Sequence, residues 1–183
     1  DFAPREIVLG AVAAARRGVE VLLCGDEHAV QNILHQYVSD WRSLPIVIEH
    51  CTQSIGMDEE PSKAVVRKKD SSLVRAITAV AQKRATAIVS AGNSGAVLVA
   101  STIILGRVPG VLRPAGGGFI PTLDGSIYCL DLGANVDCKP EFLEHFALMG
   151  SEYVRIVKNI DQPRVALLSN GHEPYKGPGA VKE

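Results

Sequence analysis

No excess of positive charge runs through these 183 residues: 19 Lys and Arg stand against 20 Asp and Glu, a formal net charge of -1. Binding along a nucleic-acid backbone usually needs a clear basic excess, so nucleic acid is not an expected partner and any anion site has to be local. Cysteine spacing is equally uninformative for metals. Cys24, Cys51, Cys129 and Cys138 form no CxxC and no Cys/His pairing of the kind zinc needs, so no metal is expected and a reduced, cytoplasmic chain fits. Long hydrophobic runs are missing too. The longest, Ala96 to Leu105, is broken by Ser101 and Thr102 and falls far short of the roughly 20 residues of a spanning helix. No secretory pattern opens the chain, and no internal repeat or low-complexity segment occurs. What is there is an ordinary globular composition, 46% apolar and 21% charged, in a chain long enough for one sizeable core. Asp1 leads straight into a helical pattern and "GPGAVKE" starts a helix that stops at Glu183, so residues 1-183 are expected to be one α/β core truncated at both ends.

Strands alternate with helices along the chain. Ile7, Val8, Ala11, Val12 and Ala15 recur at helical spacing up to Gly18, and "VEVLLCG" follows as a strand. "DEHAVQNILHQYVSD" reads as a helix with Val30, Ile33, Leu34 and Tyr37 on one face, and "PIVIEH" as the next strand. After a loop over 51-60, "PSKAVVRKK" and "SSLVRAITAVAQK" predict two helices, the second capped by Asp70 or Ser71. "TAIVSA" reads as a strand leading into "SGAVLVASTIIL", a helix apolar nearly all round and therefore expected to be buried, with its start a deep site. A Gly/Pro-rich connection over 106-118 precedes strands near "GFIPTL" and "SIYCLDLG", which flank a turn at Asp124 and Gly125. Pro140 opens a helix with Phe142, Leu143, Phe146, Ala147, Gly150, Tyr153 and Val154 on its apolar face, and "RVALLSN" is the last predicted strand. The alternation predicts a three-layer α/β/α architecture around a mostly parallel sheet.

Ligands of such sheets gather where strands end and helices begin. Three loops are expected there: "SAGNSGA" from Ser90, "DLGANVDCKP" from Asp131 and "LSNGHEPYKG" from Leu168. Each holds a glycine and an asparagine, and the second and third add Lys139 and Lys176. Exposed backbone N–H groups, an amide and an ammonium together suit a phosphate or an oxyanion, whereas the plain reading is that the glycines only make tight turns. A dinucleotide site is unsupported, because no G-x-G-x-x-G follows a strand. "GNSGA" comes near the nucleophile elbow G-x-S-x-G, with Ser94 as nucleophile and His50, His145 or His172 as its base, but no acid and histidine pair stands out. His28, His35 and His145 read as ordinary helix positions. The basic segment carrying Lys63, Arg67, Lys68, Lys69 and Arg75 is either a solvated helix face or a surface that attracts an acidic partner.

"RKKDSS" at 67-72, "VSAGNSGA" at 89-96, "ILGR" leading to "RPA" at 113-115, "DLGANVDCKPEFL" at 131-143 and "FALMGS" at 146-151 resemble, in order and spacing, the phosphate acyltransferases of bacterial phospholipid synthesis, the PlsX type. The resemblance covers essentially the whole chain, and "GANVDCKPE" is its most specific part. It implies transfer of a fatty acyl group from acyl carrier protein to inorganic phosphate, giving acyl phosphate. It also implies a fold similar to that of isocitrate dehydrogenases and phosphotransacetylases, a homodimer with peripheral membrane contact, and no cofactor. A phosphotransacetylase acting on acyl coenzyme A, and a catalytically silent fragment that binds carrier protein or membrane, are the alternatives. The family's usual opening "DAMGGD" is reduced to Asp1, and its "NIGEEEIKG" stands here as "SNGHEPYKG".

On that resemblance Gly92, Asn93, Ser94 and Gly95 are expected to bind phosphate, with Lys176 as a second cation. Asn135 and Lys139 are expected to stabilise the tetrahedral oxyanion or neutralise phosphate. Asp137 either orients Lys139 or caps the helix that Pro140 begins. Lys63, Arg67, Lys68, Lys69 and Arg75 are expected to meet the acidic carrier protein. No catalytic serine or cysteine is required, because phosphate is already an anionic nucleophile and the leaving thiolate, like cysteine, has a pKa of about 8.5.

Overall fold

The computed structural model describes residues 2-133 and 138-169. The chain divides into two compact units, 1-106 and 107-183.

In the first unit, helix α1 (Arg5–Ala15) buries Val8, Val12 and Ala15 on one stripe and is followed by Gly18 at φ +88°, a left-handed turn that glycine adopts without strain. Strand β1 (Val21–Gly25) hands over to helix α2 (Glu27–Tyr37), whose N-cap Asp26 accepts a hydrogen bond from the Ala29 N–H at 2.7 Å. A single turn of 3₁₀-helix (Trp41–Ser43) leads to strand β2 (Ile46–His50), which pairs parallel with β1 in the register Val21↔Ile46 to Gly25↔His50. Val8, Val12, Leu23, Val30, Leu34 and Val38 close one core between α1, α2 and this pair. Tyr37, expected on the buried face of α2, is about half exposed because the helix ends there.

A second core gathers three helices: α3 (Pro61–Arg67), α4 (Ser72–Ala81) and α5 (Ser94–Ile104). Val65, Leu73, Val74, Ile77, Ala96 and Ala100 form it, and α4 also lies against β1. Ser71, not Asp70, caps α4, its hydroxyl accepting from the Val74 N–H at 3.5 Å.

Two expectations for this unit are corrected. Residues 86-91 make no strand: nothing among the described residues runs beside them to supply ladder hydrogen bonds, and Val89 is 96% exposed. Nor is α5 buried all round. It presses Ala96 and Ala100 fully into the core, while Ile103 and the C-cap residue Leu105 stay about half exposed, so an all-apolar helix here covers one side.

In the second unit, strands β3 (Gly117–Thr122) and β4 (Gly125–Leu130) form an antiparallel hairpin closed by Leu123 and Asp124. Helix α6 (Pro140–Lys158) packs on β4. Glycine permits that approach, since a Cβ on Gly150 would lie 2.9 Å from Leu130 Cδ1. Phe119, Tyr128 and Tyr153 cluster there, the two tyrosine rings stacked at 4.6 Å, and Phe146 is the buried residue of α6. Residues 164-169, expected as a strand, are without one, and Leu168 is 88% exposed. The architecture among the described residues is thus mixed α/β, with one parallel and one antiparallel two-stranded sheet.

Ile77 is completely buried at the centre of the second core, whereas Ile103 is 57% exposed. Ile77→Ala is expected to cost about 2–5 kcal/mol and Ile103→Ala well under that, a difference that urea unfolding curves of the two variants will show.

Candidate functional site

The glycine turn before α5 is organised by Asn93. Its Oδ1 accepts from the Ala96 N–H at 3.0 Å, and its Nδ2 donates to the carbonyls of Gly56 and Glu59, both at 3.1 Å. The side chain is 93% buried by this arrangement, being only 7% exposed. Ser71 and Asn93 are the buried polar residues among those described, and both are helix N-caps. Both amide hydrogens of Asn93 are therefore committed to protein carbonyls. What the turn presents outward is backbone: the Ser94 and Gly95 N–H groups find no acceptor among the described residues, while the Val97 N–H bonds the Asn93 carbonyl at 3.0 Å and Gly92 N–H the Ser90 hydroxyl at 3.3 Å. These two N–H groups stand at the positive end of an 11-residue helix, a setting that favours an anion.

The two glycines differ in kind. A Cβ on Gly95 would lie 2.7 Å from Pro61 Cγ, so only glycine lets the start of α5 touch the start of α3. Gly92 has an ordinary φ and its nearest neighbour would be 3.5 Å away.

The loop that receives Asn93 has its own clasp. Glu59 Oε1 accepts from the Gly56 N–H and from Lys68 Nζ, each at 2.6 Å, and Lys68 Nζ also donates to the Ser54 carbonyl at 2.8 Å. These contacts hold the Glu59 carboxyl below its ordinary range, the Lys68 hydrogen bond first and the Gly56 N–H next. Lys68 is thereby turned inward. Lys63 pairs with Glu60, and Arg75 bonds Glu49 at 2.8 Å. Of the five cations of the basic segment, Arg67 and Lys69 are exposed with no acidic partner among the described residues.

Glu49 on β2 takes two arginines, Arg84 at 2.5 and 3.3 Å and Arg75, with 13% of its side chain exposed. Asp70, which does not cap α4, accepts from Thr52 N–H and hydroxyl at 2.9 and 2.6 Å. Beside Glu49, burial pushes the Cys24 thiol up to about 11, with the charges of Cys51 and Glu49 adding to it, and burial likewise raises Cys51. Both shifts disfavour the thiolate, which is the form of cysteine that attacks. His50 Nδ1 accepts from the Glu27 N–H at 3.1 Å, which makes this ring a cap for α2 with no bond to Ser94.

In the second unit Lys139 occupies the N-cap position of α6 with its side chain exposed, and its carbonyl accepts from Phe142 N–H at 3.0 Å. Next to it, the Cys138 thiol donates to Asp131 Oδ2 at 3.3 Å. Asn135, Asp137, His172 and Lys176 lie outside the described residues. The Glu59–Lys68 clasp and the Glu49 pair had no sequence signal: partners 9 and 35 residues apart share no periodicity.

A family profile described as "Fatty acid synthesis protein" matches residues 1–183, the whole length of this chain. The chain belongs to that family. Among similar curated proteins of the fatty acid synthesis protein family, the "Phosphate acyltransferase" of Desulforudis audaxviator is 49% identical over 178 residues, which is 97% of this chain and 51% of that protein. Those of Geotalea uraniireducens and Gloeothece citriformis, with the same printed name, are 45% and 44% identical and are matched over 53% and 50% of their lengths. The chain therefore spans about half the length of the curated relatives it matches.

Gly95→Ala must displace Pro61 and is expected to lower stability by about 1–3 kcal/mol, while Gly92→Ala stays within about 0.5 kcal/mol; thermal or urea unfolding distinguishes them. Glu49 gives a second test. Its folded pKa lies below the ordinary 4.5, first through the Arg84 hydrogen bond, so its stabilisation is complete above that value and is lost as pH falls through the depressed one. Glu49→Gln should cost about 1–2 kcal/mol at pH 7 and flatten the fall in stability below pH 4.5. An unchanged acid slope would refute this role.

Proposed function

We propose that this chain carries the core of an acyltransferase that moves a fatty acyl group from acyl carrier protein to inorganic phosphate. The observation that supports it most is the capped start of α5, which offers the Ser94 and Gly95 N–H groups outward in a chain whose whole length matches the family. In this reading a phosphate oxygen attacks the thioester carbonyl carbon, the new C–O bond forms, and the tetrahedral intermediate expels the thiolate as its C–S bond breaks. Phosphate brings its own negative charge, so the protein's work is positioning and charge stabilisation. Of the turn Gly92, Asn93, Ser94 and Gly95, the Ser94 and Gly95 N–H groups bind phosphate, while Gly92 shapes the turn and Asn93 holds it. Lys139 stabilises the oxyanion. A cation at a helix N-cap adds charge to an already positive end, and an anion beside it removes that repulsion. Asn135, Asp137 and Lys176 are assigned with it, as the sequence motif suggests.

The carrier protein is acidic in this reading, and Arg67 and Lys69 are the cations left to meet it, with Lys63 exposed beside Glu60. The same reading carries a single α/β/α core over 1–183 of the isocitrate dehydrogenase and phosphotransacetylase type, a homodimer, and a cytoplasmic protein with peripheral membrane contact. No helix among the described residues is long and apolar enough to cross a membrane.

The test is thiol release from palmitoyl carrier protein, with and without inorganic phosphate, on this chain and on a chimera carrying the flanking segments of the Desulforudis relative. Phosphate-dependent release with a hydroxylamine-reactive product is expected, with Lys139→Ala lowering turnover by about a hundredfold or more in a folded protein. Release that ignores phosphate, or none from either protein, overturns the proposal; palmitoyl coenzyme A as the better donor would turn it toward a phosphotransacetylase.

A further inference from the structure

We infer that Glu59 and Lys68 are positioning residues for phosphate: together they hold the 54–60 loop so that its carbonyls fix Asn93, and through Asn93 aim the Ser94 and Gly95 N–H groups. The inference deepens the proposed phosphate-dependent transfer and rests on it. One carboxylate oxygen, Glu59 Oε1, accepts from Gly56 N–H and from Lys68 Nζ, and the same ammonium reaches the Ser54 carbonyl at 2.8 Å. The loop is thus closed on itself by one acid and one base. Its two carbonyls at Gly56 and Glu59 are the acceptors that take both amide hydrogens of Asn93. Pro61, two residues beyond Glu59, is the atom set that the Gly95 position touches most closely. Loop, cap and close approach therefore move as one piece.

The pair is also placed to act inside the protein and not on a partner. About two thirds of each side chain is covered, with Lys68 32% and Glu59 31% exposed. Preorganised donors stabilise an anion because they need not reorient when it arrives. Without the clasp the loop carbonyls are no longer fixed, the Asn93 amide loses its anchors, and the first turn of α5 frays. The loss falls on phosphate and leaves the acyl donor's binding alone.

The experiment measures kcat and KM for inorganic phosphate and for palmitoyl carrier protein, in whichever form of the chain releases thiol, with Lys68→Met, Lys68→Arg and Glu59→Gln. Lys68→Met and Glu59→Gln are expected to raise the phosphate KM about tenfold while the carrier-protein KM and the far-UV spectrum stay put, and Lys68→Arg to stay near the unsubstituted value. Should Lys68→Met not fold, Glu59→Gln, which keeps an acceptor for Gly56 N–H, carries the test. An unchanged phosphate KM, or a rise in the carrier-protein KM instead, overturns the inference and returns Lys68 to a docking role. If the unsubstituted protein shows no phosphate dependence, the functional reading itself fails and the positioning role falls with it.

Discussion

A single buried amide, that of Asn93, joins the start of α5 to a loop more than thirty residues earlier in the chain. A buried polar side chain that lost one of these partners would pay the cost of an unsatisfied group, so the three bonds hold each other in place. Everything that makes the glycine turn specific follows from that. The Ala96 N–H is consumed, the Ser94 and Gly95 N–H groups are left outward, and Pro61 is brought close enough that Gly95 admits no side chain. What distinguishes the turn is that its neighbouring groups are occupied, and not that glycine is present.

Charge in the first unit is arranged on the same principle. Glu49 draws in Arg75 and Arg84, Glu59 draws in Lys68, and Glu60 draws in Lys63, so a segment that reads as a block of positive charge is largely neutralised at home. What remains unpaired among the described residues is a short stretch at the end of α3. Burial raises the pKa of the neighbouring thiols Cys24 and Cys51, which disfavours their thiolate forms.

Helix α5 shows how a pattern can be read correctly and interpreted too far. Its residues are apolar on every side, and full burial was the natural expectation, yet only Ala96 and Ala100 are driven into the core. Apolar composition states what a helix can bury; the elements beside it decide what it does bury. The segments 86-91 and 164-169 make the same point for strands. Their β-branched residues have strand propensity, but a strand exists through its neighbour's hydrogen bonds, and none of the described segments provides them.

By itself the sequence determined the helices, the paired strands β1 and β2, the hairpin turn and the motif string that marks the family, because each is written in local spacing, caps and turn residues. The cap of α4, narrowed to Asp70 or Ser71, and the helix opened by Pro140 were legible for that reason. Tertiary structure alone decided that Asn93 is a clamp, that Lys68 and Arg75 are paired with Glu59 and Glu49, that His50 caps α2, and that Gly95 and Gly92 have different tolerances. Each of these depends on a partner far along the chain, and no local periodicity records which distant carbonyl, carboxylate or proline ring will be brought within a hydrogen bond's reach.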